Sequence, residues 1–267
     1  MLDAWQHNKN IRGISMNIPA FVINLDDSKE RLAHVTHELR NAGVDFTRIP
    51  AFDGRKVPTE QIEDYNPKAA MKALGRELSG GEIGCYKSHI TALQKFLETD
   101  AEYGMVFEDD IEVNPLLLKD VKTLIEFFEE RSVKWDVVHL GANAAKLCRP
   151  VDRTGLFASG SQVLHAHYFP MVASGLLWSR KGASSFLNHR KDIRIPIDTE
   201  FRDVMVRGNQ GYCFWPRLVK QRDVVSDIDG TSAPRRRVQR HWSYGPKKQV
   251  RLFSNKFHAI KNIIKRT

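Results

Sequence analysis

Short apolar runs alternate along this chain with longer stretches whose apolar residues recur three and four positions apart. Ala20-Phe-Val-Ile-Asn-Leu25 is one such run and predicts a buried strand, with Asp26-Asp-Ser28 as a turn and helix cap. Leu32, Val35 and Leu39 then share one face of a helix over about Lys29 to Asn41, which stops at Gly43. Val44 to Ile49 alternates as a second strand, and Asp53-Gly54 makes a turn. This order is a β-α-β opening, in which the loop after the first strand commonly faces a ligand. Ser79-Gly-Gly-Glu82 has the form of a capping box, and behind it Ile83, Tyr86, Ile90, Leu93 and Leu97 form an apolar helical stripe. That helix feeds into a strand over Tyr103 to Phe107. Asp136 to Gly141 and Val172 to Trp178 read as strands, and Lys181 to Asn188 and Phe201 to Arg207 as helices. Gly211 to Trp215 leads through Pro216 into Leu218-Val219. Strands alternating with helices predict an α/β fold, a sheet covered on both faces.

The strand over Tyr103 to Phe107 runs into Glu108, Asp109 and Asp110. Three adjacent carboxylates repel one another, and a hard divalent cation, Mn²⁺ or Mg²⁺, would relieve them while leaving room for a substrate diphosphate. A solvated acidic turn is the plain alternative. If the segment stays extended, Glu108 and Asp110 lie on one side of it, and Glu112 beyond them reads as solvated.

Charge divides the chain. Eleven of its 41 Lys and Arg fall in residues 234–267, where there is no acid, so residues 1–233 carry 30 basic against 32 acidic side chains. Within that tail Val250, Phe253, Phe257, Ile260 and Ile264 repeat at helical spacing, with Leu252 and Ile263 widening the stripe and Arg251, Lys256, Lys261, Lys265 and Arg266 around it. An amphipathic helix lying in an anionic membrane surface has this pattern. The stripe docking on the protein's own core is the other reading, and no recognised nucleic-acid-binding fold accompanies the charge. No apolar run approaches the roughly 20 residues of a membrane-spanning helix. Residues 1–17 read as a poorly ordered leader, 18–233 as the folded domain and 234–267 as the basic tail. Cys85, Cys148 and Cys213 are scattered and show no metal-binding spacing, which suggests a reducing, cytosolic setting.

Several of these segments together resemble glycosyltransferase family 25, the lipopolysaccharide and lipooligosaccharide core galactosyltransferases and their collagen-modifying relatives. The resemblance is carried by Phe21-Val-Ile-Asn-Leu25 with Arg31, Ala51-Phe-Asp-Gly54, Leu78 to Cys85 with Ser88-His89, Phe107-Glu-Asp-Asp110 and Ser179-Arg-Lys-Gly-Ala183. It spans about Ile18 to Asp229 and implies a GT-A-like fold, a UDP-sugar donor, a divalent metal and inversion at the anomeric carbon. By the same resemblance Asp110 becomes the first metal ligand, Glu108 or Asp109 assists, and Asp227 approaches from the other side. Asn24, Leu25, Arg31, Asp53, Ser88 and His89 would line the donor. Arg31 has two readings, a phosphate contact or a pair with Asp27, and Asp53 either caps its own turn or meets the uridine or ribose. His89 is either a satisfied core histidine or a donor-site residue. Asp198, in a Pro-x-Asp segment, is the expected general base, with helix N-cap as its plain role and Glu200 and Asp203 as alternates. Met171 to Gly175 departs from the family pattern on the acceptor side.

The activity this implies is a metal-dependent, inverting hexosyl transfer, galactose from UDP-galactose, to a lipid-linked lipopolysaccharide core oligosaccharide. The enzyme would sit on the inner face of a bacterial cytoplasmic membrane. A metal-dependent phosphohydrolase and a non-enzymatic membrane or nucleic-acid adaptor are the rival classes, and no nucleic-acid partner is expected.

Overall fold

A computed structural model describes residues 16–151, 155–190, 192–222 and 240–265. Its centre is a mixed eight-stranded sheet. In chain order the opening elements are β1 (Ala20–Asn24), α1 (Lys29–Asn41), β2 (Phe46–Pro50), α2 (Pro67–Leu74), α3 (Gly80–Leu97) and β3 (Tyr103–Glu108). Then come β4 (Ile111–Val113), α4 (Leu117–Glu130), β5 (Val137–His139), β6 (Cys148–Pro150), β7 (Gln162–Ala166) and β8 (Gly175–Ser179). The chain continues through α5 (Arg180–His189), α6 (Ile197–Gly208), β9 (Gly211–Trp215), β10 (Val219–Gln221) and α7 (Tyr244–Lys265). The strand order is β2-β1-β3-β8-β5-β9-β7-β6, with β10 and β4 forming a separate antiparallel pair. β1 is parallel to both β2 and β3, while β8 runs antiparallel between β3 and β5. This is the α/β arrangement expected, a mixed central sheet flanked by helices.

The central strands are buried on both faces, as their unbroken apolar runs require. Phe21 and Ile23 of β1 enter one core with Val106, Leu176 and Trp178. Ala20 and Val22 enter the opposite core with Met105, Phe107 and Leu177. The first core is roofed by residues of α3, α5 and α6, the second by residues of α1 and α4. α4 and its stripe Leu117, Val121, Leu124, Ile125 and Phe128 had no place in the sequence reading, nor did α2, β4, β6 and β7.

Several boundaries depart from expectation, four of them at the site or the tail. β8 begins at Gly175, because Val172 has φ +73°, a left-handed conformation that a β-branched residue adopts only under constraint and that ends an extended run. The helix expected from Phe201 starts at Ile197, with Pro196 in the N-cap position. Asp198 therefore lies in the first turn and is not the cap. The acidic segment is not extended: β3 ends at Glu108, and Asp109 and Asp110 turn in a bend before β4. The tail helix starts at Tyr244, ahead of Gln249.

Candidate active site

The loops at the C-terminal ends of β1 and β3 meet. Asn24 donates from Nδ2 to Asp109 Oδ2 at 2.7 Å and also to the Ser28 carbonyl at 3.0 Å. Arg48 Nε donates to Asn24 Oδ1 at 2.9 Å, which fixes the amide's orientation. Arg31 turns to the acidic bend. It lies 3.5 Å from Asp109 Oδ1, while Asp27 pairs with Lys56 at 2.6 Å. Asp109 is thereby committed to holding the loop after β1 against the bend. Leu25 closes that loop, its carbonyl accepting from the Ser28 N–H.

Glu108 is partly exposed, whereas Asp110 is buried. Asp110 accepts from Gln221 Nε2 at 3.0 Å through Oδ2, and its buried Oδ1 has no partner. Burial, and then the nearby Glu108 charge, push the Asp110 carboxyl up to about 6. Burial also raises Asp109. Carboxylates held in this state are what a bound cation would stabilise.

The other wall comes from α3 and α6. Ser79 and Glu82 form the expected capping box that starts α3. His89 is buried, with Nε2 3.4 Å from Glu108 Oε1 and Nδ1 unpartnered. Cys85, one turn earlier, has its sulfur 3.7 Å from the same oxygen, and burial raises its thiol well above the ordinary value. The ligand atoms of Cys85, His89 and Glu108 lie within 4.8 Å of one another. The expectation that no cysteine has metal-ligand spacing is corrected here: residues four apart on a helix share a face, and β3 supplies the third group. The Glu108 and Asp110 oxygens suit Mg²⁺ or Mn²⁺, whereas the set with sulfur and imidazole suits a softer ion.

Asp198, in the first turn of α6, lies within electrostatic reach of Glu108: burial raises its carboxyl and the Glu108 charge raises it further. Glu200 and Asp203 point elsewhere. Glu200 accepts from the Tyr86 hydroxyl at 2.6 Å, and Asp203 accepts from Asn255 Nδ2 of α7 at 2.6 Å.

Asp53 is held by its own turn, gripped by Arg55 at 2.7 Å, which lowers its carboxyl below the usual value. Ser88 joins elements: its hydroxyl accepts from the Phe52 N–H at 2.9 Å and donates to the Gly84 carbonyl at 2.7 Å. The glycines around it have the same task. A Cβ on Gly84 would run into the Phe52 carbonyl, and one on Gly80 into the Gly54 carbonyl. Glu112 is exposed and pairs with Lys220 at 3.3 Å. Asp227 lies outside the described residues.

Sequence reading missed Cys85, Gln221, Arg48 and His139. His139 Nε2 donates to the Val172 carbonyl at 2.5 Å while Nδ1 accepts the Gly141 N–H at 3.1 Å, and burial lowers its pKa to about 4. It clamps the segment leading into β8, and Ser174 in that segment accepts from the Glu108 N–H at 3.1 Å. The signal for Cys85 as a ligand was its helical spacing from His89.

Comparison with known proteins identifies the family. The profile described as glycosyltransferase family 25 (LPS biosynthesis protein) matches residues 17–201, so the chain belongs to that family. Procollagen galactosyltransferase 1-A of Xenopus laevis is 27% identical over 193 residues, covering 69% of this chain and 30% of that protein. A glycosyltransferase 25 family member of Aedes aegypti is 26% identical over 211 residues, covering 77% and 33%. A rat relative carries the description "Probable inactive glycosyltransferase 25 family member 3", at 28% identity over 206 residues, 74% of this chain and 35% of that one. The chain thus spans about a third of the length of these curated relatives. Among solved structures, S. aureus TarS 1-349 aligns at TM-score 0.43 and 15% identity, covering 74% of this chain and 58% of that one. The inositol-1-phosphate CTP transferase of T. maritima aligns at 0.40 and 15%, covering 82% and 93%.

Proposed function

We propose that this glycosyltransferase moves a hexose, galactose from UDP-galactose, to a lipid-linked lipopolysaccharide core oligosaccharide, with inversion at the anomeric carbon. The observation that carries the reading is the unpartnered, buried Asp110 oxygen beside Glu108 at the end of β3, inside a family 25 domain. A divalent cation, Mn²⁺ or Mg²⁺, held by Glu108 and Asp110 would neutralise charge on the departing diphosphate. In the transfer, the acceptor hydroxyl oxygen bonds to the anomeric carbon as the bond from that carbon to the diphosphate oxygen breaks. Asp198 accepts the hydroxyl proton and UDP leaves. Its raised carboxyl is the better suited to take that proton. Asn24, Asp109 and Arg31 hold the donor-side loop in place without direct chemistry. The word galactosyltransferase in the name of the Xenopus relative supports the galactosyl donor. The basic tail supports a membrane-embedded acceptor and a place on the inner face of a cytoplasmic membrane.

Nucleotide release from a panel of UDP-sugars, with Mn²⁺ or EDTA, tests this. One UDP-sugar should give metal-dependent release, and Asp110→Ala should lower it at least about a thousandfold. Asp198→Asn should lower transfer about a hundredfold or more while leaving donor binding by calorimetry intact. Near-normal turnover in Asp110→Ala sinks the reading. Phosphate release from simple phosphoesters without sugar transfer would point instead to a hydrolase.

A further inference from the structure

Helix α7 is attached to the domain by the face opposite its apolar stripe. Asn255 and Ala259 are buried, Asn255 donating to Asp203 and Asn262 Nδ2 donating to the Val206 carbonyl at 2.8 Å, both on α6. Ala259 packs with Tyr168 and Val206. At the other end the Lys247 ammonium donates to the Met71 carbonyl at 2.8 Å, and the His241 N–H to the Gly75 carbonyl at 2.9 Å. The stripe therefore does not dock on the domain. Val250, Phe253, Phe257, Ile260 and Ile264 are 47% to 74% exposed, and Trp242, just before the helix, is 81% exposed. Leu252 and Ile263, expected to widen the stripe, are half-buried on the docked side.

Exposing this much contiguous apolar surface is unfavourable unless something covers it. The flanks say what. At 3.6 residues per turn, Lys256 lies along one border of the stripe and Lys261 and Lys265 along the other, all exposed. There is no acid anywhere in residues 234–267. A second copy pairing stripe to stripe would set lysines against lysines, whereas an anionic phospholipid surface satisfies both the apolar row and its cationic borders. Phe and Ile side chains have no comparable use against a nucleic acid.

We propose that α7 is an interfacial helix, inserting Phe253, Phe257 and Ile264 among anionic lipid headgroups while its polar face stays fixed to α6. Because α6 carries Asp198 in its first turn and Asp203 and Val206 further along, the contact with the lipid also sets how the site is presented to the surface. The inference deepens the lipid-linked acceptor reading, but its test needs no sugar transfer, so either can fail without the other.

The test is flotation of the full chain with vesicles of phosphatidylglycerol and phosphatidylcholine, beside vesicles of phosphatidylcholine alone. The protein should float with the anionic vesicles and partition at least tenfold less onto the neutral ones. Phe253→Ser/Phe257→Ser/Ile264→Ser should lose binding while keeping its circular dichroism, since all three side chains are exposed. Lys256→Gln/Lys261→Gln/Lys265→Gln should lower partitioning about a hundredfold at low salt, from about 1 kcal/mol per basic residue. Failure of the full chain to float with anionic vesicles, or equal binding by the triple serine variant, overturns the proposal. So does a lipid-free dimer in sedimentation velocity that the serine variant abolishes, in a protein that ignores vesicles.

Discussion

Asp110 and His139 are buried titratable groups with opposite consequences for stability. The Asp110 carboxyl is pushed up to about 6 by burial and Glu108. The native state therefore holds a proton that the unfolded chain has released between about pH 4 and 6, and stability falls as pH rises through that window. In metal-free protein, Asp110→Asn should be stabilising at about pH 7.5, on the order of 2 kcal/mol, and the gain should shrink towards pH 4.5. Thermal melts of both proteins across that range check it, and a constant difference would refute it. His139 works the other way. Its pKa is lowered to about 4 by burial, so its contribution is present above about 6.5 and lost as pH falls through about 4. His139→Gln should melt lower at neutral pH but show a flatter loss of stability on acidification; parallel acid limbs would exclude that role. The acidic triplet was legible as chemistry. Its division of labour was not, because which carboxylate meets Arg31 depends on a bend that no alternation predicts.

At the scale of elements, Ser79 to Glu82 was read as a capping box, and it is one because both halves are local, within three residues on one chain segment. The glycines beside it had no such reading, since the loop they admit, Phe52 to Gly54, comes from after β2. Gly84→Ala places a methyl against the Phe52 carbonyl, part of a backbone that α3 holds in place. It should cost about 2 kcal/mol or more in urea unfolding. Gly208→Ala, with nothing within 4 Å, should cost nothing measurable or stabilise slightly. Equal costs at the two positions would remove close approach as the reason for Gly84. For Asp198 the two readings were a general base and a helix N-cap, and Pro196 occupies the cap position instead.

For the molecule as a whole, α6 joins the candidate site to the tail helix. Asn255 to Asp203 is a hydrogen bond to a charged acceptor in a partly buried place, a kind worth about 1.5 to 3 kcal/mol. Asn255→Ala should therefore loosen α7 while leaving the sheet intact. Hydrogen exchange should show faster exchange over residues 244–265 and unchanged protection over 80–97; uniform acceleration would mean that the tail is part of the global fold. Among the described residues no helix is long and apolar enough to cross a membrane, so any lipid contact of α7 is made along its length.

The sequence by itself determined the elements whose signals are local: the unbroken apolar runs of β1 and β3, the stripe of α3 and its cap, and the basic amphipathic helix at the end. The family, too, was legible, because its segments keep their order along the chain. Tertiary structure decided what distance in sequence conceals. It turned Asp109 to Asn24 and Arg31, brought Cys85 and His89 to Glu108, gave Asp203 to the tail, and left the apolar stripe of α7 facing outward. These outcomes depend on which side chains from different elements arrive at one place. Periodicity fixes the face a residue occupies, whereas packing fixes what that face meets.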